Sequence, residues 1–599
     1  MPHPRKSRHR SLLIWLMCGS PFAASFAMAQ ERSSPVLASG GNEDALKAWQ
    51  AASGSQIVPD VVKTPDGESK LEWRSTLAVD TYNNDIKPPP APLGSPPFAT
   101  PLNTGNFAKT VFATNIRLIE PGGQVNFAQF TLAASNDRSV VSRYPNQLNS
   151  LQVGRTGQGY QIGAGDTAIS FSQLGTTLGL RGLNVQQQLG DWTFSGYGGT
   201  VSDSWEALYN RTPLDNSPAR SRFTRRVLGT KIEYSLAMGL KAFATVQGYS
   251  DNVESLNTER ISQQPTDARS LSTGLSYQDG PWTVASEVAL SKFDERYQLA
   301  RKGDAIVVDG TYRQTSWSLR GGYHDIDPKF VSLSQSVPPG IKESYVGGDL
   351  TAAAWVTLGV DYRNAASRTA GLILLAPPAD PALPSPFPVM ATSALTRSLT
   401  SRANINFGAA FPGLALSLSN TANRGQDVQQ HVNRNLNSNA ALSYSSSSWS
   451  GNVSFLAGKF ANNGTPQGDS TSSGLQAQLG RNYAGDIIPW SIGWSLTAGE
   501  QIQKLTFVGT ETKSRSHGLT LNGQRAEWAQ FTLTYQGSSI TQTTGGPDLI
   551  TRSVQLDVVK QFGQANSFKA YLRGSQRNVG DVALRTDERV VGMQLNLGW

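Results

Sequence analysis

The stretch Val591-Gly592-Met593-Gln594-Leu595-Asn596-Leu597-Gly598-Trp599 decides how this chain is read. Val591, Met593, Leu595, Leu597 and Trp599 form one apolar row, and Gly592, Gln594, Asn596 and Gly598 form a small or polar one. Successive side chains of a strand point to opposite faces, so this alternation predicts a strand with one greasy face and one wet face. The pattern runs to the last residue and ends on an aromatic, whereas chain ends ordinarily fray.

The same period recurs upstream. Leu71 to Val79 is the first candidate strand, and residues 109–119 and 124–134 predict a hairpin about Glu120-Pro121-Gly122-Gly123. A phase change near Ala128 suggests a bulge there, and Gly163-Ala164-Gly165-Asp166 reads as a loop or bulge signal. Leu228, Thr230, Ile232, Tyr234 and Leu236 make a clean row; so do Trp490, Ile492, Trp494, Leu496 and Ala498. The segments are about 10 residues long, which fits a tilted strand crossing a bilayer. Trp and Tyr recur near segment ends, as in an interfacial girdle. Short turns such as Leu189-Gly190-Asp191 and Phe411-Pro412-Gly413 alternate with long polar links at 202–223, 251–269, 364–392, 420–432 and 538–547. In membrane barrels the short turns belong to the periplasmic rim and the long loops to the outside. Residues 297–312 read as one strand or two, which leaves the parity of the count open.

With these features, the last nine positions resemble the C-terminal strand of Gram-negative outer-membrane β-barrels. That strand ends in an aromatic after alternating apolar residues and is read by the barrel-assembly machinery. The resemblance implies an all-β chain forming a single large antiparallel transmembrane β-barrel of about 24–26 strands, with 22 acceptable. It implies the cell outer membrane as location, with outer-membrane lipid and the barrel-assembly machinery as partners. Val591, Met593, Leu595, Leu597 and Trp599 would then be the assembly signal.

The N-terminal residues read as an export signal. Arg5, Lys6, Arg8 and Arg10 precede the apolar run that starts Leu12-Leu13-Ile14-Trp15-Leu16-Met17, and Ala27-Met28-Ala29 is a small-x-small cleavage site. The expected organisation is a signal peptide at 1–29, a flexible periplasmic segment at 30–70 and the barrel at 71–599. The only Cys, Cys18, lies in the first of these, so a mature chain has no thiol for a disulfide, a nucleophile or a metal site. Charged residues are 16%, Gly number 58 and the net charge is +8. A signal peptide would account for Arg5, Lys6, Arg8 and Arg10 of that excess, so the charge is weak evidence for an anionic partner, and no nucleic-acid partner is expected.

Few residues offer chemistry. Beyond residue 29 the chain has His324, His431 and His517. His324-Asp325-Ile326-Asp327 sets carboxylates beside an imidazole, a pairing similar to that of outer-membrane proteases, but the distant acidic pair of that family has no counterpart we can place. Ser514-Arg515-Ser516-His517 is similar to the Ser–His pair of outer-membrane phospholipase, with a different order and spacing. No metal cluster, phosphate loop or esterase elbow is present. We therefore expect no catalytic residue, no cofactor and no metal. Lipid-facing charge is costly, roughly 2–4 kcal/mol for Arg or Lys at the midplane. Arg117, Lys241, Glu287, Arg320, Asp361, Arg363, Asp557, Lys569 and Arg573 lie in rows opposite apolar ones and are expected to face the lumen. Both signs are present, so no strong ion preference is expected.

The expected function is a passage for hydrophilic solutes or for an exported polymer, with a periplasmic export partner left open. A barrel of this width needs filling, by its long loops, by the N-terminal tail or by a partner. The Pro-rich link 375–389 is a candidate constriction or an outer loop. The alternatives are a non-channel structural or adhesive surface barrel and an outer-membrane hydrolase.

Overall fold

The computed structural model describes residues 68–599 except 88–103, 138–145, 176, 203–204, 209–223, 238, 256–264, 296–299, 333–338, 369–392, 409, 428–429, 465–467, 485–489, 508, 526–528, 544–547, 564–565 and 581–584. The expected signal peptide, nearly all of the expected periplasmic segment and the link 375–389 lie outside the described residues.

Residues 57–599 form one unit, and its described part is a single 26-stranded antiparallel sheet. Each strand pairs with its neighbours in sequence, and the first pairs with the last. β1 (Lys70–Lys87) runs against β26 (Arg585–Gly598) in an unbroken register from Thr76↔Gly598 to Lys87↔Asp587. Ser75 N donates to the carbonyl of Trp599 at 2.8 Å, and Trp599 N donates back at 3.0 Å. The terminal strand is thus the closing stave. Full closure removes every free edge, and with it the unpaired N–H and C=O groups that an edge would expose. The residues 297–312 contribute one strand, β12 (Arg301–Arg313), and the count is even.

An even count puts the start of β1 and the end of β26 at one rim. Tight turns such as Gly280–Pro281 lie at that rim, and the longer connections lie at the other. Gly280 takes φ +52°, which a side chain rarely adopts. We call the rims the turn end and the looped end.

The two faces of the wall differ as alternation requires. The outer row is apolar and exposed: Leu228 is 67% accessible, Val246 58% and Val591 52%. The inner row is small or polar, with aromatic rings seated over glycines directly across the ladder. Phe127 lies over Gly154, Tyr197 over Gly229, Phe243 over Gly274, Tyr345 over Gly322 and Tyr571 over Gly592. A Cβ on any of these glycines would fall within 2.6 Å of a ring carbon, so the ring covers backbone that a bare glycine leaves open.

Several expectations are corrected. The hairpin of β2 (Gly105–Ile119) and β3 (Val125–Ser135) is continuous from Lys109↔Ser135 to Ile119↔Val125. The apparent phase change near Ala128 arises because Phe127, an aromatic, occupies the inner row over Gly154. The register irregularity lies instead at Thr131/Leu132, against β4 (Asn146–Gly157). Gly163 to Asp166 lies within β5 (Tyr160–Ser170) and not in a loop, while Gly165, at φ +107°, is an irregular point where pairing with β4 ends. The expected long links are shorter than their polar sequence suggests. β17 (Leu414–Asp427) and β18 (Val432–Ser445) continue through most of 420–432, and β23 (Ala529–Gln542) runs into 538–547. The backbone ladder goes on pairing beyond the zone where one row must be apolar, so alternation ends before the strand does.

Candidate functional site

The enclosed face of the wall is the candidate site. It has a charged sector, a neutral sector and a filled mouth.

The charged sector centres on β13 (Trp317–Ile326), β14 (Ile341–Ala353), β15 (Val356–Ser367) and β16 (Ser393–Asn406). Arg320 reaches Asp349 at 3.0 Å and Asp361 at 2.5 Å, and Arg402 reaches the same two carboxylates at 2.5 and 2.9 Å. Each guanidinium spans two carboxylates, which its planar fork suits, and the ring of charges sums to zero. Glycines make room for it: a Cβ at Gly347 would fall 1.9 Å from Asp361 Oδ1, and one at Gly359 would fall 2.5 Å from Arg402 Nε. Towards the looped end, Arg363 donates to Glu343 at 2.5 Å. Asp309, on β12, accepts from Tyr345 at 2.5 Å and from Gln173 at 2.9 Å, and lies 2.9 Å from His324 Nε2.

The remaining expected residues lie on the same enclosed row. Lys241 pairs with Glu233 at 3.1 Å and Lys569 with Asp557 at 3.0 Å. Arg573 stacks at 5.0 Å on the ring of Tyr571, which donates to Asp80 at 2.8 Å. Arg117 stands opposite Glu72. Sequence reasoning named Arg320 and Asp361 but missed Asp349 and Arg402, whose signal is the inner row of the neighbouring strands once register is known. The neighbours of the histidines in sequence are not their partners in space. Asp325 lies on the opposite face from His324 and pairs with Arg368 at 2.5 Å, because adjacent residues of a strand diverge. His517 faces outward beside Tyr535, at 3.3 Å.

From β17 to β23 the inner row changes character. Ser419, Thr421, Asn437, Asn439, Gln476 and Gln478 are typical of it. Among the described residues, Asp427 is the one charged side chain in those inner rows, and it stands at the looped end against His431. The other charges of this sector, Arg424, Arg434, Lys459, Arg481, Glu500, Lys504, Lys513 and Arg515 among them, fall in the outer row.

The mouth is partly filled between β5 and β14. The segment 171–175 crosses from the end of β5 to β11 (Trp282–Glu295) and β12, a chord that only the interior allows. There Glu287, 2% accessible, accepts from Ser172 Oγ at 2.7 Å and Leu174 N at 3.0 Å. The segment 327–332 folds in beside it: Val331 N donates to Ser291 Oγ at 2.9 Å and Ser332 Oγ to the carbonyl of Leu174 at 3.2 Å. Leu174, Phe330, Ala289, Ala305, Val307 and Ile326 bury one another beneath them. The signal was present in Ile306-Val307-Val308, apolar in both rows, which marks a wall covered on both faces.

Beside this filling, the ladder of β4 and β5 stops at Gln152↔Gly165. Leu151 N and Leu148 N then donate to side chains instead, to Asp166 and to Glu206, each at 2.7 Å. Glu206 belongs to the one-turn helix α1 (Trp205–Leu208), whose Trp205 Nε1 also donates to Asp166 at 2.7 Å. These carboxylates satisfy backbone donors that the parted strands leave open.

Solved structures similar to this chain include a siderophore receptor, a pilus usher pore and a porin. The siderophore receptor PirA of Pseudomonas aeruginosa is 10% identical, with 89% of this chain and 81% of that one covered and a TM-score of 0.40. The translocation pore of the P pilus usher PapC is 10% identical, over 88% and 99%, at 0.32. The anion-selective porin of Comamonas acidovorans is 10% identical, over 50% and 90%, at 0.27. No protein-family model and no curated protein sequence matches the chain.

Proposed function

We propose that this chain is an outer-membrane barrel giving passage to hydrophilic, uncharged solutes or to an uncharged hydrophilic polymer. The outer face supports the location: its exposed rows are apolar on strand after strand, as a lipid-facing wall must be. Width supports the passage. With strands about 4.8 Å apart and tilted by about 40°, a 26-stranded barrel is roughly 50 Å across. Side chains alone do not fill such an interior.

The observation that carries the reading is the inner row from β17 to β23, built mainly of hydroxyls, amides and glycine, with every charge except Asp427 at the looped end turned outward. Amides and hydroxyls donate and accept hydrogen bonds without holding a counter-ion, so they exchange partners with water or with polyhydroxylated solutes at little cost. Of the charges that do face inward, Arg320, Asp349, Asp361 and Arg402 neutralise one another, and Lys241 and Lys569 are paired with Glu233 and Asp557. The passage therefore discriminates weakly between cations and anions. We assign no reaction to it: His324 serves the Asp309–Tyr345 network and His431 the Asp427 turn.

Conductance in a reconstituted planar bilayer tests this. We expect large conductance with a cation-to-anion permeability ratio near one. If neither the intact barrel nor a variant lacking 375–389 passes current, the passage reading falls and a non-conducting structural or adhesive barrel takes its place.

A further inference from the structure

We propose that the outer face of β16 to β19 (Trp449–Asn462), at the looped end, binds a membrane lipid whose headgroup carries more than one phosphate. The proposal rests on the membrane reading above. It does not require that the barrel conduct.

Arg397, Arg424 and Arg434 stand in direct lateral register on adjacent strands, Arg397↔Arg424 and Arg424↔Arg434. Lys459 follows on β19, opposite Leu436 and one step below Arg434 on the same face. All belong to the outer row, as Tyr362, Leu399 and Leu436 beside them do. Like charges directly opposite on a ladder repel. Ordinarily a carboxylate relieves this, as Glu500 does for Lys513 and Arg515 further round the wall, at 3.1 and 2.7 Å. Here the outer rows from β15 to β20 (Ser470–Ala484) contain no Asp or Glu. Among the described residues, no ion pair involves any of these cations. A run of repelling cations without an internal counter-charge is stabilised by an anion from outside.

Height identifies where that anion sits. Arg434 is ten residues from Tyr444 on β18, Arg424 ten from Leu414 on β17, and Lys459 ten from Trp449 on β19. Ten residues at about 3.3 Å, tilted by about 45°, rise roughly 25 Å, the height of a barrel's apolar band. The aromatics Tyr444 and Trp449 mark one interface and the cations the other. The cations therefore lie at headgroup level in the leaflet of the looped end. A groove of about 530 Å³ is lined by the four cations together with Tyr362, Leu399, Ala422, Leu436 and Ala461, so the charged heads and the apolar outer row share one depression. A headgroup seated on the cations would lay its acyl chains along the apolar members of that row, Leu399, Ala422 and Leu436. Cations spread over adjacent strands, about 4.8 Å per step, match several phosphate charges on one headgroup better than a single phosphodiester.

The test uses the full-length folded barrel, delipidated in detergent and then exposed to bisphosphorylated lipid A, its monophosphoryl form, phosphatidylglycerol or phosphatidylethanolamine. Retained lipid is counted by native mass spectrometry. We expect the bisphosphorylated lipid to be retained most. Simultaneous Arg397→Gln, Arg424→Gln, Arg434→Gln and Lys459→Gln should weaken that retention at least tenfold. Charge-conserving Arg397→Lys, Arg424→Lys, Arg434→Lys and Lys459→Arg should keep it, and this also controls for folding. Equal retention by the Gln variant, or equal retention of phosphatidylethanolamine, overturns the proposal. Phosphatidylglycerol bound as well as the bisphosphorylated lipid overturns the multiphosphate assignment. Failure of the wild-type chain to insert into any vesicle overturns the membrane reading itself.

Discussion

The ring of Tyr571 lies over Gly592, directly across the ladder from it, at the position a Cβ would occupy: that Cβ would fall 2.3 Å from Tyr571 Cζ. The Tyr571 hydroxyl passes on over β26 and donates to Asp80 on β1 at 2.8 Å. One side chain thus ties the last two strands to the first. Gly592→Ala should destabilise the barrel by about 1–3 kcal/mol through overpacking. The readout is a lower temperature for loss of heat-modifiable migration. Tyr571→Ala in the same chain should relieve most of the added cost, and a purely additive double variant would count against this account.

Trp599 exchanges both backbone hydrogen bonds with Ser75 and packs 6.4 Å from Phe112. Without β26, β25 (Ser567–Val579) and β1 become free edges. Deleting residues 591–599 should therefore abolish membrane assembly, read by heat-modifiable migration and outer-membrane fractionation. Normal insertion of the truncated chain would refute the role of Val591, Met593, Leu595, Leu597 and Trp599 in assembly.

Arg320 and Arg402 share Asp349 and Asp361. These side chains are about a third accessible, so solvent screens them, and Arg402→Gln should cost only about 1 kcal/mol in thermal stability. Its larger effect should be on ions: the ring gains a net negative charge, and the cation-to-anion permeability ratio should rise. Asp349→Asn combined with Arg402→Gln should return the ratio towards that of the wild type.

Glu287 holds the inward segment through Ser172 and Leu174. Hydrogen bonds to a charged acceptor contribute about 1.5–3 kcal/mol each. Glu287→Ala should release the segment 171–175 and increase unit conductance and open-channel noise. Unchanged single-channel traces would mean that this segment does not restrict the passage.

A charge placed in the neutral sector gives the converse test. Asn437→Asp with Gln478→Glu puts carboxylates on the inner rows of β18 and β20. The permeability ratio should shift towards cations, whereas the same charges on an outer row should leave it unchanged and impair insertion.

The sequence by itself determined the class of fold and the two faces of each strand. Alternation is a local property of period two, so Val591 to Trp599 already separated greasy from wet rows, and segment length, aromatic segment ends and alternating turn and loop lengths pointed to a closed barrel. It also placed Arg320, Asp361, Lys569 and Glu287 opposite the apolar rows. The tertiary structure decided which residues meet. Asp309 rather than Asp325 partners His324, and Arg402 joins Arg320, because partners on different strands follow from register, and a slip of one residue would turn each side chain to the other face. Strand ends were also beyond sequence reading, since the ladder continues where alternation stops. The filling of the mouth by 171–175 and 327–332, the neutral sector and the unpaired cations of β16 to β19 exist only across neighbouring strands. They depend on register, which joins rows around the barrel rather than along the chain.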